Sequence, residues 1–253
     1  MRWAGFRNVR RQVCRRIQRR VRELDLPSAD AYRAYLESTP DEWLRLDALC
    51  HVTISRFYRD RGVFEFLEQT VLPELAAVSG ARGVPLAAWS AGCASGEEAY
   101  TLVLAWEYAI RSAFPAVALR VLASDADETM VSRARAASYD ESSLRELPPA
   151  WRRHGFVRRG DSYHLRPRFR RLVMVVQHDV RGPAPDGPFD LVLCRNLAFT
   201  YFDIELQREI VRNLGEALRR DGVLVVGSHE TLPAGASGFV PLCARLGFYR
   251  RST

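Results

Sequence analysis

The first eighty residues carry apolar positions at helical spacing. An apolar stripe recurs every three or four residues within 7–24, which predicts one amphipathic helix. The segment LPSADAYRAYLES predicts a second helix with Ser28 as its N-cap, and TPDEWLRLDALCHVT a third with Thr39 as its N-cap. ISRFYRDRGVFEFLEQTVLPELA continues with a helical pattern. We therefore predict an all-α domain over residues 1–80.

Beyond residue 80, short apolar runs alternate with helical segments. The predicted strands are VPLAAWSA, ALRVLASDAD, LVMVVQHDV, FDLVLCRN and VLVVGSHE, and the last residues, GFVPLCARLGFYRR, fit a helix and strand or a hairpin. Strands that alternate with helices predict an α/β domain over 81–253 with a mostly parallel, doubly wound sheet. The alternation in HGFVRRGDSYHLRPRFRR adds a small hairpin insertion at about 152–172.

The composition narrows the class of protein. No run of eighteen apolar residues is present, and the Arg-rich start lacks the apolar core of a secretory signal, so we expect no membrane insertion. Five cysteines lie far apart without a CxxC pair, which excludes a disulfide framework and a zinc site of that kind. We therefore expect a cytoplasmic protein without a metal.

The net charge is +7, and all 37 basic residues are arginine. Arginine's fork of donors suits carboxylate and phosphate groups, although a coding bias explains the lack of lysine as well. The charge concentrates on the first predicted helix. No aromatic residues alternate with these arginines to form a stacking platform, so the pattern does not favour a nucleic acid partner.

Polar residues follow four predicted strands. They are the small-residue turn WSAGCASGEEAY at 89–100, Asp125, the HDV motif at 178–180, and CRNLAFTYFD at 194–203. A glycine turn or a helix N-cap would explain one of these features without a ligand. Because the carboxyl ends of parallel strands share one edge of a sheet, four in register predict a ligand crevice there.

In this order the motifs SRFYRD, WSAGCASGEEAY, LASDAD, Tyr139, QHDV, FDLVLCRN, YFD and DGVLVVGSHE resemble the CheR family, the chemotaxis-receptor glutamate methyltransferases. The resemblance covers nearly the whole chain. It implies a class I (Rossmann-like) methyltransferase fold with a small N-terminal all-α domain and a β-hairpin subdomain. It also implies S-adenosyl-L-methionine as cofactor, S-adenosyl-L-homocysteine as product, and glutamyl methyl esters formed by in-line methyl transfer.

The resemblance further implies a cofactor pocket, whose residues are Ser55, Arg59, Ala91, Gly92, Glu98, Asp125, Asp179, Val180, Cys194 and Arg195. Within it, Glu98 would contact the methionine end, Asp125 the ribose, and Asp179 the adenine. Arg59 and Tyr201 would be catalytic, the first beside the reacting carboxylate and the second over the methyl group. The residues alone favour a surface salt bridge for Arg59 and a core aromatic for Tyr201, so both catalytic roles depend on the resemblance.

The resemblance places the partner at the first helix, where Arg16, Arg19, Arg20 and Arg22 would dock the acidic methylation helices of a chemoreceptor-like protein. We expect a monomer. Two alternatives stay open. One is the same reaction on another protein or on a small-molecule carboxylate, and the other is a non-catalytic module that binds cofactor or a partner.

The sequence departs from the family pattern at four places. It starts near the family's second helix, so we expect the N-terminal domain to lack the first. One extra residue lies between Asn196 and Tyr201, which could redirect the tyrosine. Thr53 replaces a cofactor-contacting Asn, and GSHE replaces GHSE. The hairpin FVRRGDSYHLRPRF lacks a Gly-rich tip, so we expect no tethering to a receptor's C-terminal pentapeptide.

Overall fold

A computed structural model describes residues 3–6, 9–50 and 55–252 of the chain. The chain divides into two compact units, 1–54 and 55–253. The helical pattern of the sequence predicts this division at residue 80, and the structure has it 26 residues earlier. No helix in the described part of the chain is long and apolar enough to cross a membrane.

The first unit is helical. Its elements are a 3₁₀ turn at Trp3–Phe6 and the helices α1 (Arg10–Glu23), α2 (Ala29–Ser38) and α3 (Pro40–Cys50). The hydroxyl of Ser28 accepts a hydrogen bond from the Ala31 N–H at 3.1 Å, so the predicted N-cap of α2 is confirmed. Helix α3 begins at Pro40, the residue after the predicted cap, with two acidic residues in its first turn.

A buried carboxylate connects the three helices of this unit. Glu42 on α3 is 5% exposed and accepts two hydrogen bonds from Arg20 on α1, at 2.8 and 2.9 Å. It also accepts one from the hydroxyl of Tyr32 on α2 at 2.9 Å. The Arg20 guanidinium is the main reason that the pKa of Glu42 lies below its usual value.

The second unit is α/β. Its helices are α4 (Arg61–Phe66), α5 (Leu72–Arg82), α6 (Glu97–Ala105), α7 (Glu128–Ala136), α8 (Pro149–Gly155), α9 (Pro167–Arg170), α10 (Ala198–Tyr201) and α11 (Ile204–Ala217). Its strands are β1 (Leu86–Ala91), β2 (Leu119–Asp125), β3 (Ser138–Tyr139), β4 (Phe156–Arg159), β5 (Ser162–Leu165), β6 (Val173–Gln177), β7 (Phe189–Cys194), β8 (Leu218–Val226), β9 (Phe239–Cys243) and β10 (Phe248–Arg251). A π-helical segment, Leu67–Val71, joins α4 to α5, and another, Trp106–Ile110, extends α6.

Seven strands form the main sheet in the order β6-β2-β1-β7-β8-β10-β9. Neighbours from β6 to β8 pair in parallel, and β10 and β9 add an antiparallel hairpin at one edge. This is the predicted doubly wound sheet, with a hairpin as its last element. The strand order reverses between β1 and β7, and ligands of such sheets bind in the crevice at that point.

Alternate residues of the strands pack into two cores, one on each face of the sheet. Leu86 and Ala88 of β1 belong to the first core, and Trp89 and Ala91 belong to the second. The helical segment 61–82 supplies the first core with a set of buried apolar residues: Val63, Phe64, Leu67, Val71, Leu72, Leu75 and Ala76. This packing explains the domain boundary, because helical periodicity in the sequence does not reveal which core a helix covers.

A separate three-stranded antiparallel sheet, ordered β3-β5-β4, forms the predicted small subdomain. Strands β4 and β5 make the hairpin, and Gly160 adopts a positive φ of 58° at its tip. Tyr139 on β3 donates from its buried hydroxyl to the Ser95 carbonyl at 2.8 Å. The subdomain is thereby bonded to the turn that follows β1.

Candidate functional site

The turn after β1 lies at the reversal point of the main sheet. Ala91 ends β1, and the N–H groups of Gly92 and Cys93 both donate to the Ser124 carbonyl near the end of β2, each at 2.8 Å. Gly92 has a φ of +75°, and a Cβ atom there would lie 2.3 Å from Cδ2 of Leu197. The turn therefore needs glycine both for its backbone conformation and for its contact with the segment after β7.

Asp125 ends β2 beside this turn. Its Oδ2 accepts the Ala94 N–H at 2.8 Å, and its Oδ1 accepts the Asp127 N–H at 3.0 Å. Asp127, not Asp125, is the N-cap of α7, accepting from the Thr129 N–H at 2.8 Å. Asp125 thus lies against the turn after β1, and a carboxylate there is the type of acceptor that binds hydroxyl groups.

Glu98 in the first turn of α6 faces the end of the neighbouring strand. Its Oε1 accepts from the Ser90 hydroxyl at 2.7 Å, and its Oε2 accepts from Nη1 of Arg195 at 3.0 Å. Ser90 lies on β1, and Arg195 directly follows β7. Glu98 therefore bridges the two strands on either side of the crevice.

Arg195 is the central cation of this crevice. Its side chain is 2% exposed, and its Nη2 donates to Asp60 at 2.7 Å and to the Arg59 carbonyl at 3.2 Å. Among the described residues its Nε atom has no hydrogen-bond partner. The family resemblance predicts Arg195 in the pocket lining, but its pairing with Asp60, which is 135 positions away in the chain, was not predicted.

The loop that carries Arg59 has an unusual backbone. Tyr58 and Asp60, on either side of it, both adopt left-handed conformations, with φ of 59° and 61°. Such residues cost free energy and persist only where the surroundings fix them. Here the Tyr58 N–H donates to the Thr101 hydroxyl at 3.1 Å, and the Tyr58 hydroxyl donates to Glu68 at 2.8 Å. The loop thus presents Arg59 from a backbone fixed on both sides.

Tyr201 is the last residue of α10 and is half-buried. Burial raises the pKa of its phenol, and the positive charge of Arg59 acts in the opposite direction. An electrostatic effect of this kind requires proximity, so the structure brings the two predicted catalytic residues into one region. The phenol stays protonated well above neutral pH.

Glu230 was not identified from the sequence. It follows β8, is 5% exposed, and accepts from the N–H groups of Asn196 and Gly227, each at 2.7 Å. It also accepts from the Thr200 hydroxyl at 2.6 Å. Burial raises its pKa, and these hydrogen bonds oppose the shift. The motif GSHE was the available signal, but nothing in it showed which segment the carboxylate would hold.

The remaining predicted pocket residues differ in their surroundings. The carboxylate of Asp179 is engaged by Arg181, whose Nη2 lies 2.6 Å away, and the neighbouring Val180 is buried. Cys194 is fully buried, which raises the pKa of its thiol far above the usual range. Ser55 is half-buried at the start of the second unit. Thr53 lies outside the described residues.

Two family descriptions match this chain. "CheR methyltransferase, SAM binding domain" matches residues 53–244, and "CheR methyltransferase, all-alpha domain" matches 8–47. The chain belongs to the CheR methyltransferase family. The two matches also coincide with the two compact units rather than with a division at residue 80.

Three relatives illustrate the range of this CheR family. A "Chemotaxis protein methyltransferase" of Listeria monocytogenes is 33% identical over 73% of this chain and 68% of its own length. A "Probable chemotaxis protein methyltransferase" of Rhizobium etli is 32% identical over 86% and 83%. An "Uncharacterized 104.1 kDa protein" of Rhodobacter capsulatus is 32% identical over 92% of this chain but only 24% of its own length.

The cofactor of a CheR methyltransferase is S-adenosyl-L-methionine, and the crevice has the groups to hold it. The absence of a side chain at Gly92 lets the turn after β1 lie against Leu197 in the segment after β7. Asp125 offers acceptors for the ribose hydroxyls, and Glu98 is a carboxylate beside the glycine turn, suited to an amino group. The site thus matches the SAM-binding role of the family.

The four predicted docking arginines of this CheR chain fall into two groups. Arg19 and Arg22 are exposed on α1. Arg20 instead pairs with Glu42 and, at 3.4 Å, with Glu23, and Arg16 donates to the Leu49 carbonyl at 3.4 Å. Arg16 and Arg20 therefore bind other helices of the unit, and Arg22 donates to the Gln18 carbonyl of its own helix at 3.3 Å.

Proposed function

We propose that this CheR-family protein methylates the γ-carboxylate of glutamate side chains in an acidic protein partner. The observation that carries the proposal is the Arg195 guanidinium. It joins Glu98 at the proposed cofactor turn to Asp60 and Arg59 on the loop facing the proposed acceptor. Cofactor and acceptor carboxylate would therefore be held by a single connected set of residues.

Methyl transfer to a carboxylate depends on the alignment of the reacting groups more than on activation of the nucleophile. When bound, S-adenosyl-L-methionine supplies a methyl group that is attached to a positively charged sulfonium. After the methyl group is transferred, the sulfur is left as a neutral thioether. The glutamate carboxylate is already ionised at pH 7, so no general base is required. What the protein must supply is the near-attack alignment of carboxylate oxygen, methyl carbon and sulfur.

Arg59 and Tyr201 would supply that alignment. The Arg59 guanidinium would bind the carboxylate oxygen that does not react, as arginine forks do. The Tyr201 hydroxyl, which is protonated at neutral pH with an ordinary pKa of about 10 and whose burial raises that pKa further, would donate a hydrogen bond to the acceptor and orient it. A phenolate at that position would repel the incoming carboxylate. The phenol is therefore in its donating form throughout the physiological pH range.

The partner we propose is the acidic methylation region of a chemoreceptor-like protein. The net charge of +7 and the exposed Arg19 and Arg22 favour an acidic surface. Relatives over most of this chain carry chemotaxis names. Another relative, a "Probable biofilm formation methyltransferase" of Pseudomonas aeruginosa, is 29% identical over 94% of this chain and 56% of its own length. A receptor of another signalling pathway is therefore the second candidate.

The experiment combines the full chain with tritiated S-adenosyl-L-methionine and receptor-rich membranes. Glutamyl esters release volatile labelled methanol in alkali, so we expect base-labile label on protein. A base-stable product would contradict carboxyl methylation.

Calorimetry with S-adenosyl-L-homocysteine tests cofactor binding separately. Absence of binding at high concentration would contradict the SAM site. Arg59→Ala is expected to keep binding but lose about 100-fold or more in transfer, because carboxylate alignment is lost.

A further inference from the structure

The segment that carries Tyr201 has little internal support. Helix α10 is a single turn of four residues, and helices of that length are not stable in isolation. Its entry is irregular, since Asn196 has a φ of +55° and Leu197 is non-helical. The position of Tyr201 must therefore be fixed by contacts from outside the turn.

Two buried side chains supply such contacts. Gln207 of α11 donates to the Phe202 carbonyl at 2.8 Å, and Glu230 binds the segment from the end of β8. One oxygen, Oε2, accepts the N–H groups of Asn196 and Gly227 at 2.7 Å. The other, Oε1, accepts the hydroxyl of Thr200, the residue before Tyr201, at 2.6 Å. Within the described chain no cation pairs with this carboxylate, so its hydrogen bonds all go to this junction. They hold the segment at its entry and next to its last residue.

Gly227 permits this approach. A Cβ atom at that position would lie 2.8 Å from Glu230 Oε2 and 2.8 Å from Asn196 Oδ1. These distances are shorter than Cβ contacts allow, so any side chain would push the carboxylate away from the Asn196 amide. The absence of a side chain at Gly227 is therefore what allows the segments around Asn196, Gly227 and Glu230 to pack closely.

We propose that Glu230 is a positioning residue for Tyr201 and acts through the Thr200 hydroxyl and the Asn196 amide. This inference rests on the proposed function, in which Tyr201 orients the acceptor carboxylate. Glu230 itself does not touch the substrate. Its carboxylate fixes the turn so that the phenol is already in place before the acceptor arrives, which lowers the entropic cost of alignment.

Thr200→Val tests the link without removing the buried carboxylate, because valine keeps the shape of threonine and lacks the hydroxyl. We expect kcat for methyl transfer to fall about 10-fold and the Kd for S-adenosyl-L-homocysteine to change less than about 2-fold. Thr200→Ser, which restores the hydroxyl, should recover most of the lost kcat. In a Tyr201→Phe background, Thr200→Val should have no further effect on kcat, because the group it positions is gone.

Glu230→Gln is a second variant that keeps the fold. A rotated amide can direct its oxygen to the two N–H groups and its NH₂ to the Thr200 oxygen, so we expect a smaller loss of kcat than in Thr200→Val. Full kcat in Thr200→Val, an equal loss in the Tyr201→Phe background, or no recovery in Thr200→Ser would overturn the inference.

A readout independent of transfer separates this inference from the proposed function. Amide hydrogen exchange over residues 196–202 of the intact protein should be faster in Thr200→Val than in wild type or Thr200→Ser. Unchanged exchange there would overturn the positioning role even if esters form. Faster exchange in Thr200→Val, found together with a wild-type protein that makes no ester, would instead leave the positioning contact intact and reject the proposed reaction.

Discussion

Arg195 donates from Nη2 to the carboxylate of Asp60 at 2.7 Å, and this bond joins the end of β7 to the loop that holds Arg59. The same guanidinium reaches Glu98 at 3.0 Å through Nη1. The Arg195 side chain is 2% exposed and that of Glu98 16%, whereas that of Asp60 is 31% exposed, so the bond to Glu98 is the better shielded of the two charge-assisted bonds. One buried cation thereby links the cofactor turn to the proposed acceptor site.

Asp60→Asn should uncouple these two parts. Asparagine tolerates the left-handed φ of residue 60 and keeps the size of the side chain, so the change mainly removes the charge. Since Arg195 keeps Glu98, we expect S-adenosyl-L-homocysteine affinity within about 3-fold of wild type and kcat lowered about 10-fold or more as Arg59 loses its support. Calorimetry and ester formation measure the two quantities.

Glu65→Gln is the matched control for this change. Glu65 also pairs with an arginine, Arg61 at 2.7 Å, but on the surface, where ion pairs contribute little. It should leave both quantities unchanged. If Asp60→Asn behaves like Glu65→Gln, the support of Arg59 by Arg195 is unnecessary for transfer.

Gly92→Ala should damage the cofactor turn. The substitution places a Cβ at a φ of +75° and at 2.3 Å from Leu197, so the turn or the segment after β7 must move. We expect S-adenosyl-L-homocysteine affinity to fall at least about 10-fold and the protein to lose about 2 kcal/mol or more of stability, since strain and overpacking add. Calorimetry and denaturant unfolding measure these effects.

Gly160→Ala is the control that separates the effect of backbone strain from the effect of a steric contact. Gly160 has a positive φ of 58°, but nothing lies within 4 Å of the position of its Cβ. Gly160→Ala should therefore cost only the roughly 1 kcal/mol expected for a left-handed alanine and leave cofactor affinity unchanged. Equal affinities for the two variants would show that the contact with Leu197 does not shape the cofactor site.

Several local features of the fold could be predicted from the sequence because their signals are local. The glycine turn, Asp125 and the N-cap Ser28 each sit at a strand end or helix start, where a few neighbouring residues determine the geometry. The pairs Arg195–Asp60 and Glu230–Asn196 were not predictable in this way. Each joins segments far apart in the chain, and only the strand order brings them together.

The division at residue 54 and the role of Arg20 were missed for a related reason. A helical pattern shows that a face is buried, but not against which partner, so 61–82 was assigned to the wrong domain. Likewise, a cationic helix looks uniformly exposed in sequence. The structure shows that Arg20 turns inward to a carboxylate 22 positions later.

Glu42 should make the helical unit sensitive to acid. Its pKa is lowered in the folded state by Arg20, so its contribution to stability is present above its unfolded pKa of about 4.3 and is lost as the pH falls through the lower folded value. Glu42→Gln should destabilise the unit at pH 7 by about 1.5 to 3 kcal/mol, because the hydrogen bonds from Arg20 lose their charged acceptor. This difference from wild type should shrink as the pH drops below about 4.

Amide hydrogen exchange over residues 10–50 of the full chain measures this stability. Glu37→Gln is the control, since Glu37 pairs with Arg33 on the surface at 3.5 Å and both side chains are more than half exposed. It should change exchange little at any pH. A Glu42 effect that stays constant from pH 7 to pH 3 would contradict an ionic origin.

Tyr32 should lower the stability of the helical unit at alkaline pH. Its pKa is raised to about 12, first by burial and then by its bond to Glu42. A raised pKa contributes stability that is complete below the unfolded value of about 10 and is lost as the pH rises towards 12. Tyr32→Phe should flatten the pH dependence of exchange in 10–50 between pH 10 and 12. An unchanged slope would assign the alkaline loss to another group.

Charge reversal at Arg19 and Arg22 tests the proposed acidic partner without disturbing the helical core. Both side chains are exposed on α1, whereas reversal of Arg20 would place a glutamate against Glu42 and unfold the unit for reasons unrelated to docking. We expect Arg19→Glu with Arg22→Glu to raise KM for a receptor substrate about 10-fold or more, with kcat and S-adenosyl-L-homocysteine affinity nearly unchanged. The difference in KM between the variant and wild type should decrease as salt screens the attraction.

The matched control reverses Arg212 and Arg220, which are exposed arginines of the second unit. Arg212→Glu with Arg220→Glu makes the same change in net charge and should leave KM near the wild-type value. If both pairs raise KM equally, overall charge rather than the α1 surface attracts the substrate.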